Sequence, residues 1–210
     1  DTLSVTSGKV EVYAYDDAIN ASKQITISGG YTYAYGINND GIDSNGNMTI
    51  SGGVAIANGT NAPEDGFDCD QNTFTVSGGT LIGIGGGTSS PTTSSATQPV
   101  AIVGGSSISA GTYITLANSS GTNILAFKVP RSYSSYTLLI SSPSMTKGSS
   151  VTLNTGATVS GGTDFDGYVT GASVSGGSTL ASLTLSSTLT TYNYSGGMGG
   201  PGGGMPGGGR

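Results

Sequence analysis

Nine of the twelve acidic residues in this 210-residue chain fall between Glu11 and Asp70, and most of them recur in register. Three short elements carry them: Asp17-Ala-Ile-Asn20, Asp40-Gly-Ile-Asp43 and Asp65-Gly-Phe-Asp68, spaced 23 and then 25 residues apart. If these segments stack, Asp17, Asp40 and Asp65 form one row, and Asn20, Asp43 and Asp68 form a second. Two residues further on, Ser22, Asn45 and Asp70 form a third row on the same strand face. Adjacent carboxylates at strand spacing repel by roughly 3 kcal/mol at an effective dielectric of ~20, and a bound cation relieves that cost. Every candidate ligand is a carboxylate, amide or hydroxyl oxygen, since the chain has no His and its single Cys69 cannot build a thiolate site. Oxygen-only clusters select hard cations, and Ca²⁺ tolerates the irregular geometry of a turn better than Mg²⁺. The candidate calcium ligands are Asp17, Asp40, Asp43, Asn45, Asp65, Asp68 and Asp70. Asp and Asn also cap turns, and it is the recurrence in register that favours calcium over that role. Neither loop has the spacing of an EF-hand.

A second set of side chains is aromatic. Tyr13, Tyr15, Tyr31, Tyr33 and Tyr35 cluster just before the acidic elements, in a chain without Trp. Such rings can stack on sugars, or they can ladder in adjacent strands as ordinary sheet residues. The residues alone do not separate these two uses.

The elements that must position both sets are short strands joined by glycine. Four segments end in Ser-Gly or Ser-Gly-Gly: Leu3–Gly8, Ile25–Gly30, Met48–Gly53 and Phe74–Gly79. Each is followed by another strand-like run, at Val10–Tyr13, Tyr31–Tyr33, Val54–Ile56 and Leu81–Ile84. A period in the low twenties with two or three strands per repeat describes the coil of a parallel β-helix, whose equivalent residues stack ~4.8 Å apart. Ile27, Ile50 and Val76 then form one inward ladder, and Ile19, Ile42 and Phe67 another.

Composition sets the outer limits. Only 9% of residues are charged and 38 are Gly, yet the glycines recur at fixed places between Val, Ile and Thr runs, which argues for strands and turns rather than disorder. With a net charge of −6 and six Lys and Arg in all, a nucleic-acid partner is not expected. No apolar run reaches the ~18 residues of a membrane span. The start at Asp1 without a signal-like stretch reads as a processed, secreted chain, in which Cys69 is buried or pairs with another chain.

At Asn39-Asp-Gly-Ile-Asp-Ser-Asn-Gly-Asn-Met-Thr-Ile-Ser-Gly-Gly53 the sequence resembles a family of bacterial secreted carbohydrate-binding domains. Glu64–Asp70 followed by Phe74–Gly79 is similar. The likeness is best over residues 10–88. It implies a right-handed parallel β-helix with a pectate-lyase-like outline, bound Ca²⁺, and acidic plant or cell-wall polysaccharide and cellulose as partners. It also implies that Asp40, Asp43, Asp65 and Asp68 are ligands. The first repeat departs from the pattern, with Ala18 and Asn20 in place of Gly and Asp, so Asp17 is expected to contribute less.

The domain plan has four parts: β-helix coils over 1–88, a Ser/Thr/Pro loop over 89–99, a β-rich cap or irregular continuation over 100–190, and a Gly-rich tail over 191–210. Two later Val-Ser-Gly-Gly corners, at Val159 and Val174, lie only 15 residues apart, too close for the earlier coil. Asp164 and Asp166 suit an Asx turn better than a second cation site.

Three functions compete. A polysaccharide lyase needs a Lys or Arg base beside its cation, and the acidic half offers only Lys9 and Lys23, neither inside an acidic element. An enzyme is therefore not expected. A calcium-stabilised extracellular binder of acidic polysaccharide is the leading reading. The alternative is a self-assembling subunit of an extracellular filament, a homopolymer held by solenoid ends and by the Gly-rich tail.

Overall fold

The computed structural model describes residues 1–194. The described residues contain strands and turns and no helix. The first coil holds β1 (Thr2–Val5), β2 (Lys9–Ala14) and β3 (Ile19–Ala21). The second repeats them as β4 (Gln24–Ile27), β5 (Tyr31–Gly36) and β6 (Ile42–Ser44). In the third, β7 (Asn47–Asn58) runs through the corner and is followed by β8 (Phe67–Asp68). The fourth is β9 (Phe74–Gly85). Pairing between coils is parallel throughout, so four coils stack into a β-solenoid.

The register is the one the repeat dictates. Ile27 pairs with Ile50 and Ile50 with Val76. Ile19 pairs with Ile42 and Ile42 with Phe67. All but Ile19 are fully buried inside the coils, each contributing about 2 kcal/mol of burial. The Ser-Gly-Gly corner between the first two strands of each coil explains itself at Gly53. It has φ +75°, and a Cβ there would run into the backbone of Gly29 and Gly30 in the coil beneath. Only glycine lets the corners stack this closely.

After residue 88 the chain stops coiling. Residues 92–98 run along β9 without forming a strand: the Thr92 and Thr97 N–H groups donate to the carbonyls of Phe74 and Val76. The Gln98 amide donates to Gly79 O and Ser141 Oγ, both at 2.7 Å. Eleven further strands follow: β10 (Val100–Ile108), β11 (Tyr113–Asn118), β12 (Asn123–Lys128), β13 (Tyr133–Ser141), β14 (Ser150–Thr155), β15 (Thr158–Ser160), β16 (Thr163–Phe165), β17 (Tyr168–Thr170), β18 (Ser173–Ser175), β19 (Ser178–Thr184) and β20 (Leu189–Tyr192).

These strands do two separate things. β13 pairs antiparallel with β9, β10 antiparallel with β13, and β20 parallel with β10, which closes the fourth coil's edge and extends the main sheet. Meanwhile β16, β17, β12, β11, β14 and β19 form an antiparallel sheet in that order. This sheet packs on the flank of the solenoid. Ala55, Ala57 and Leu81 point into the coils. Val54, Ile56, Ile82 and Ile84 point outward beneath Ile114, Leu116, Leu125, Phe127 and Leu153 of the sheet. Strands buried on both faces carry uninterrupted apolar runs, which is why Val54-Ala-Ile-Ala57 does not alternate with polar residues. The corners at Val159 and Val174 pair with each other across β15 and β18.

Two contacts pin the flanking sheet to the early coils. Phe165 lies edge-on to Tyr31, with centroids 4.9 Å apart, and Lys9 sits 5.0 Å from the Phe165 ring. The Arg131 guanidinium lies 4.0 Å above the Tyr35 ring and donates to the carbonyls of Gly36 and Ile37.

Candidate functional site

The third side of each coil is the acidic corner. β3, β6 and β8 form their own three-stranded parallel sheet, and its register sets Asn20 beside Asp43 and Asp43 beside Asp68. The first carboxylate row stacks by a local mechanism: the Asp40 N–H donates to Asp17 Oδ1 (3.2 Å), and the Asp65 N–H donates to Asp40 Oδ1. Each aspartate therefore caps the corner of the next coil, so the turn role and the stacking in register coexist.

Why glycine separates the two aspartates is visible at Gly41. A Cβ there would meet Asn58 N at 2.5 Å and Gly66 O at 2.8 Å, so the corner can close only without a side chain.

Asp17, Asp40 and Asp43 come together, with one oxygen from each lying within 4.8 Å of the others. Asp40 and Asp43 are both 8% exposed. The Asn20 amide bridges the group, donating to Asp43 Oδ2 and, at 3.3 Å, to Asp17 Oδ2. The exposed Asn45 donates its amide to Asp43 Oδ2 at 3.1 Å. Asp65 and Asp68 continue the rows but stand outside this tight group. Asp68 Oδ1 instead accepts from the Asp70 N–H (2.9 Å) and from Ser89 Oγ (2.8 Å). Asp70 is exposed, with φ +51°. Ser89 is the residue the sequence reading missed. It follows a bridge between Asp65 and Gly87 and takes the next rung of the second row, and no acidic side chain marks it.

The electrostatics follow from burial. Burial, reinforced by Asp65, Asp68 and Asp17, raises the Asp40 carboxyl to about 8, against the hydrogen bond from Asp65. Burial and the charges of Asp17, Asp68 and Asp70 raise Asp43 to about 7. Asp65 rises to about 8 through burial, Asp68 and Glu64, and Asp17 moves up mainly through burial. No ion pair among the described residues reaches this corner; the ion pairs are those of Lys9 with Glu11 and Asp166. Buried carboxylates without a basic partner hold either protons or a cation. Their all-oxygen donor set suits a hard divalent ion.

The tyrosines divide by exposure. On β2 and β5 the odd-numbered residues face outward, and pairing sets Tyr13 beside Tyr35 and Lys9 beside Tyr31. Tyr13, Tyr15 and Tyr31 are 62%, 77% and 47% exposed. Tyr35 is half-buried under Arg131. Tyr33 is 4% exposed, its ring 5.4 Å from that of Tyr13, so it supports the others and offers no face to a ligand. Tyr15 directly precedes Asp16 and Asp17, which brings the exposed rings to the edge of the acidic corner. At the hairpin between β16 and β17, Asp164 Oδ1 accepts from the Gly167 N–H at 3.1 Å, an Asx turn.

A β-solenoid that presents exposed aromatic rings beside ligand-type oxygens is the class this geometry defines. A family model described as "Carbohydrate-binding domain-containing protein" matches residues 1–127. The chain belongs to that family. No curated protein and no solved structure matches it.

Proposed function

We propose that this protein is a non-catalytic, calcium-stabilised extracellular module that binds acidic polysaccharide. The observation that carries the reading is the convergence of Asp17, Asp40 and Asp43 next to the exposed rings of Tyr13 and Tyr15. Asp17, Asp40 and Asp43 would hold the ion, with Asp65 and Asp68 as further ligands along the rows. Calcium supplies a positive charge that protein and uronate carboxylates share. The tyrosines contribute apolar faces for the sugar ring. A lyase is disfavoured because Lys9 and Arg131 are engaged elsewhere, Lys9 with Glu11 and Asp166 and Arg131 with two carbonyls, and Lys23 stands outside the acidic elements.

The test is retention on a polygalacturonate column in calcium and in EDTA. Retention is expected in calcium alone, and it should be lost in Asp43→Ala and in Tyr15→Ala. Retention that survives EDTA and both substitutions would refute the reading.

One observation favours a second reading, assembly into filaments. Among the described residues the main sheet ends in β1 and β20, each paired there on one side, and free edges recruit strands. The Gly-rich tail invoked for such contacts lies mainly outside the described residues. Light scattering in calcium decides: a monomer at all concentrations ends this reading.

A further inference from the structure

Where β9 gives way to β13, β10 and the segment after β20, a groove of about 470 Å³ opens. Gly86, Gly87, Gly104 and Gly105 line its floor. Packing requires the central pair to be glycine, since a Cβ on Gly105 would enter the Tyr136 ring and one on Gly104 would strike the Asn193 carbonyl. The floor is consequently bare backbone with a tyrosine ring laid against it. Ser135 and Asn193 stand at its sides. None of the lining side chains is charged.

Tyr136 is the informative residue. It is 5% exposed, and its hydroxyl lies against Gly105 within the groove. The Tyr133 and Tyr194 hydroxyls donate to the carbonyls of Gly59 and Thr88, whereas that of Tyr136 has no partner among the described residues. It is also absent from the polar atoms sealed off from solvent. A nearly buried hydroxyl that reaches only the groove is a group waiting for a ligand to complete its hydrogen bonding.

We infer that this groove is a second saccharide site, separate from the acidic corner, which takes an uncharged sugar unit. A sugar ring offers what the groove lacks: hydroxyls that both donate and accept. Tyr136, Ser135 and Asn193 supply the matching hydroxyls and amide. An acidic sugar is excluded, because its carboxylate would be desolvated with no positive partner. The inference rests on the carbohydrate-binding reading but not on calcium.

Calorimetry on the full chain in EDTA tests it, using β-1,4-linked gluco-, manno- and xylo-hexasaccharides with tri-galacturonate as the acidic probe. At least one neutral hexasaccharide should bind and tri-galacturonate should not. Tyr136→Phe, which keeps the ring on Gly105, should weaken binding about 3- to 10-fold. Ser135→Trp, which fills the groove from an exposed position, should abolish it, and Ser119→Ala, at the exposed turn between β11 and β12, should leave it unchanged. Thermal melts of the variants confirm that they fold. The inference is overturned if no neutral probe binds at 10 mM, or if binding survives Ser135→Trp. Failure of calcium-dependent retention on polygalacturonate would refute the acidic-corner reading and leave these outcomes as they are.

Discussion

Replacing Asp40 by Asn should stabilise the calcium-free protein and destabilise the calcium-bound one. In the unfolded chain this carboxyl ionises near 3.8, and in the folded protein at about 8. Between those values the folded state binds more protons than the unfolded state, so stability falls as pH rises. At pH 7 the difference corresponds to about 4 kcal/mol. Asp40 is only 8% exposed, so little of this is screened away. Asn carries no charge yet keeps an oxygen for the Asp65 N–H, while the desolvation of its amide takes back part of the gain. The expected benefit in EDTA at pH 7 is about 2–4 kcal/mol, or roughly 5–15 °C in Tm. At pH 3.5, below the unfolded value, both side chains are neutral and the advantage should vanish.

Calcium should reverse the order at pH 7 once it is present well above its Kd. A ligand present at 1,000 times its Kd stabilises the wild type by about 4.1 kcal/mol, enough to offset the variant's advantage, and the variant, short of one carboxylate, should gain much less. Urea melts of both proteins at pH 3.5 and pH 7, each in EDTA and in calcium, give the full comparison. The reasoning fails if Asp40→Asn is no more stable than wild type at pH 7 in EDTA. It also fails if the advantage is as large at pH 3.5, which would tie the effect to packing and not to charge.

Tyr15→Ala should abolish retention on polygalacturonate while shifting the urea midpoint by less than ~0.5 kcal/mol, because the ring is 77% exposed. Gly41→Ala should destabilise the protein by about 1–3 kcal/mol as its Cβ forces Asn58 and Gly66 apart, and the loss should appear equally in calcium and EDTA melts. Arg131→Lys keeps the charge but loses the planar fork over Tyr35 and the carbonyls of Gly36 and Ile37. It should cost about 1–2 kcal/mol, with faster amide exchange where the flanking sheet meets β5.

The coils were legible because each rung repeats its chemistry. Ile27, Ile50 and Val76 occupy the same place directly before the same Ser-Gly-Gly corner, so stacking them required only the period. The flanking sheet lacks any such repeat. Its antiparallel pairings, such as Ile114 with Phe127 and Val151 with Leu183, depend on contacts that no local spacing announces. One signal was present: outward positions such as Val54, Ile56, Ile82 and Ile84 are as apolar as the inward ones, which requires a cover on that flank. The same test separates the tyrosines. Burial of Tyr33 beneath its neighbours depends on how far the second sheet reaches, and its sequence context is the same as that of Tyr31 and Tyr35.

That reach also decides where a ligand can dock. The flanking sheet buries the outward face of β7 and β9 but leaves Tyr13 and Tyr15 exposed on the first coil. The acidic corner, on a different side of each coil, stays clear of that sheet's apolar core. An acidic polysaccharide bound as proposed would therefore approach across the early coils, where rings and carboxylates adjoin. The aspartates are most deeply buried in the second coil, at Asp40 and Asp43, and Asp17 of the first coil meets them there. An ion held by Asp17, Asp40 and Asp43 would draw its carboxylates from two coils, so binding it would tie the exposed first coil to the body of the solenoid. Calcium should consequently slow amide exchange in β3 more than in β9, and equal slowing in both strands would show that the ion sits elsewhere.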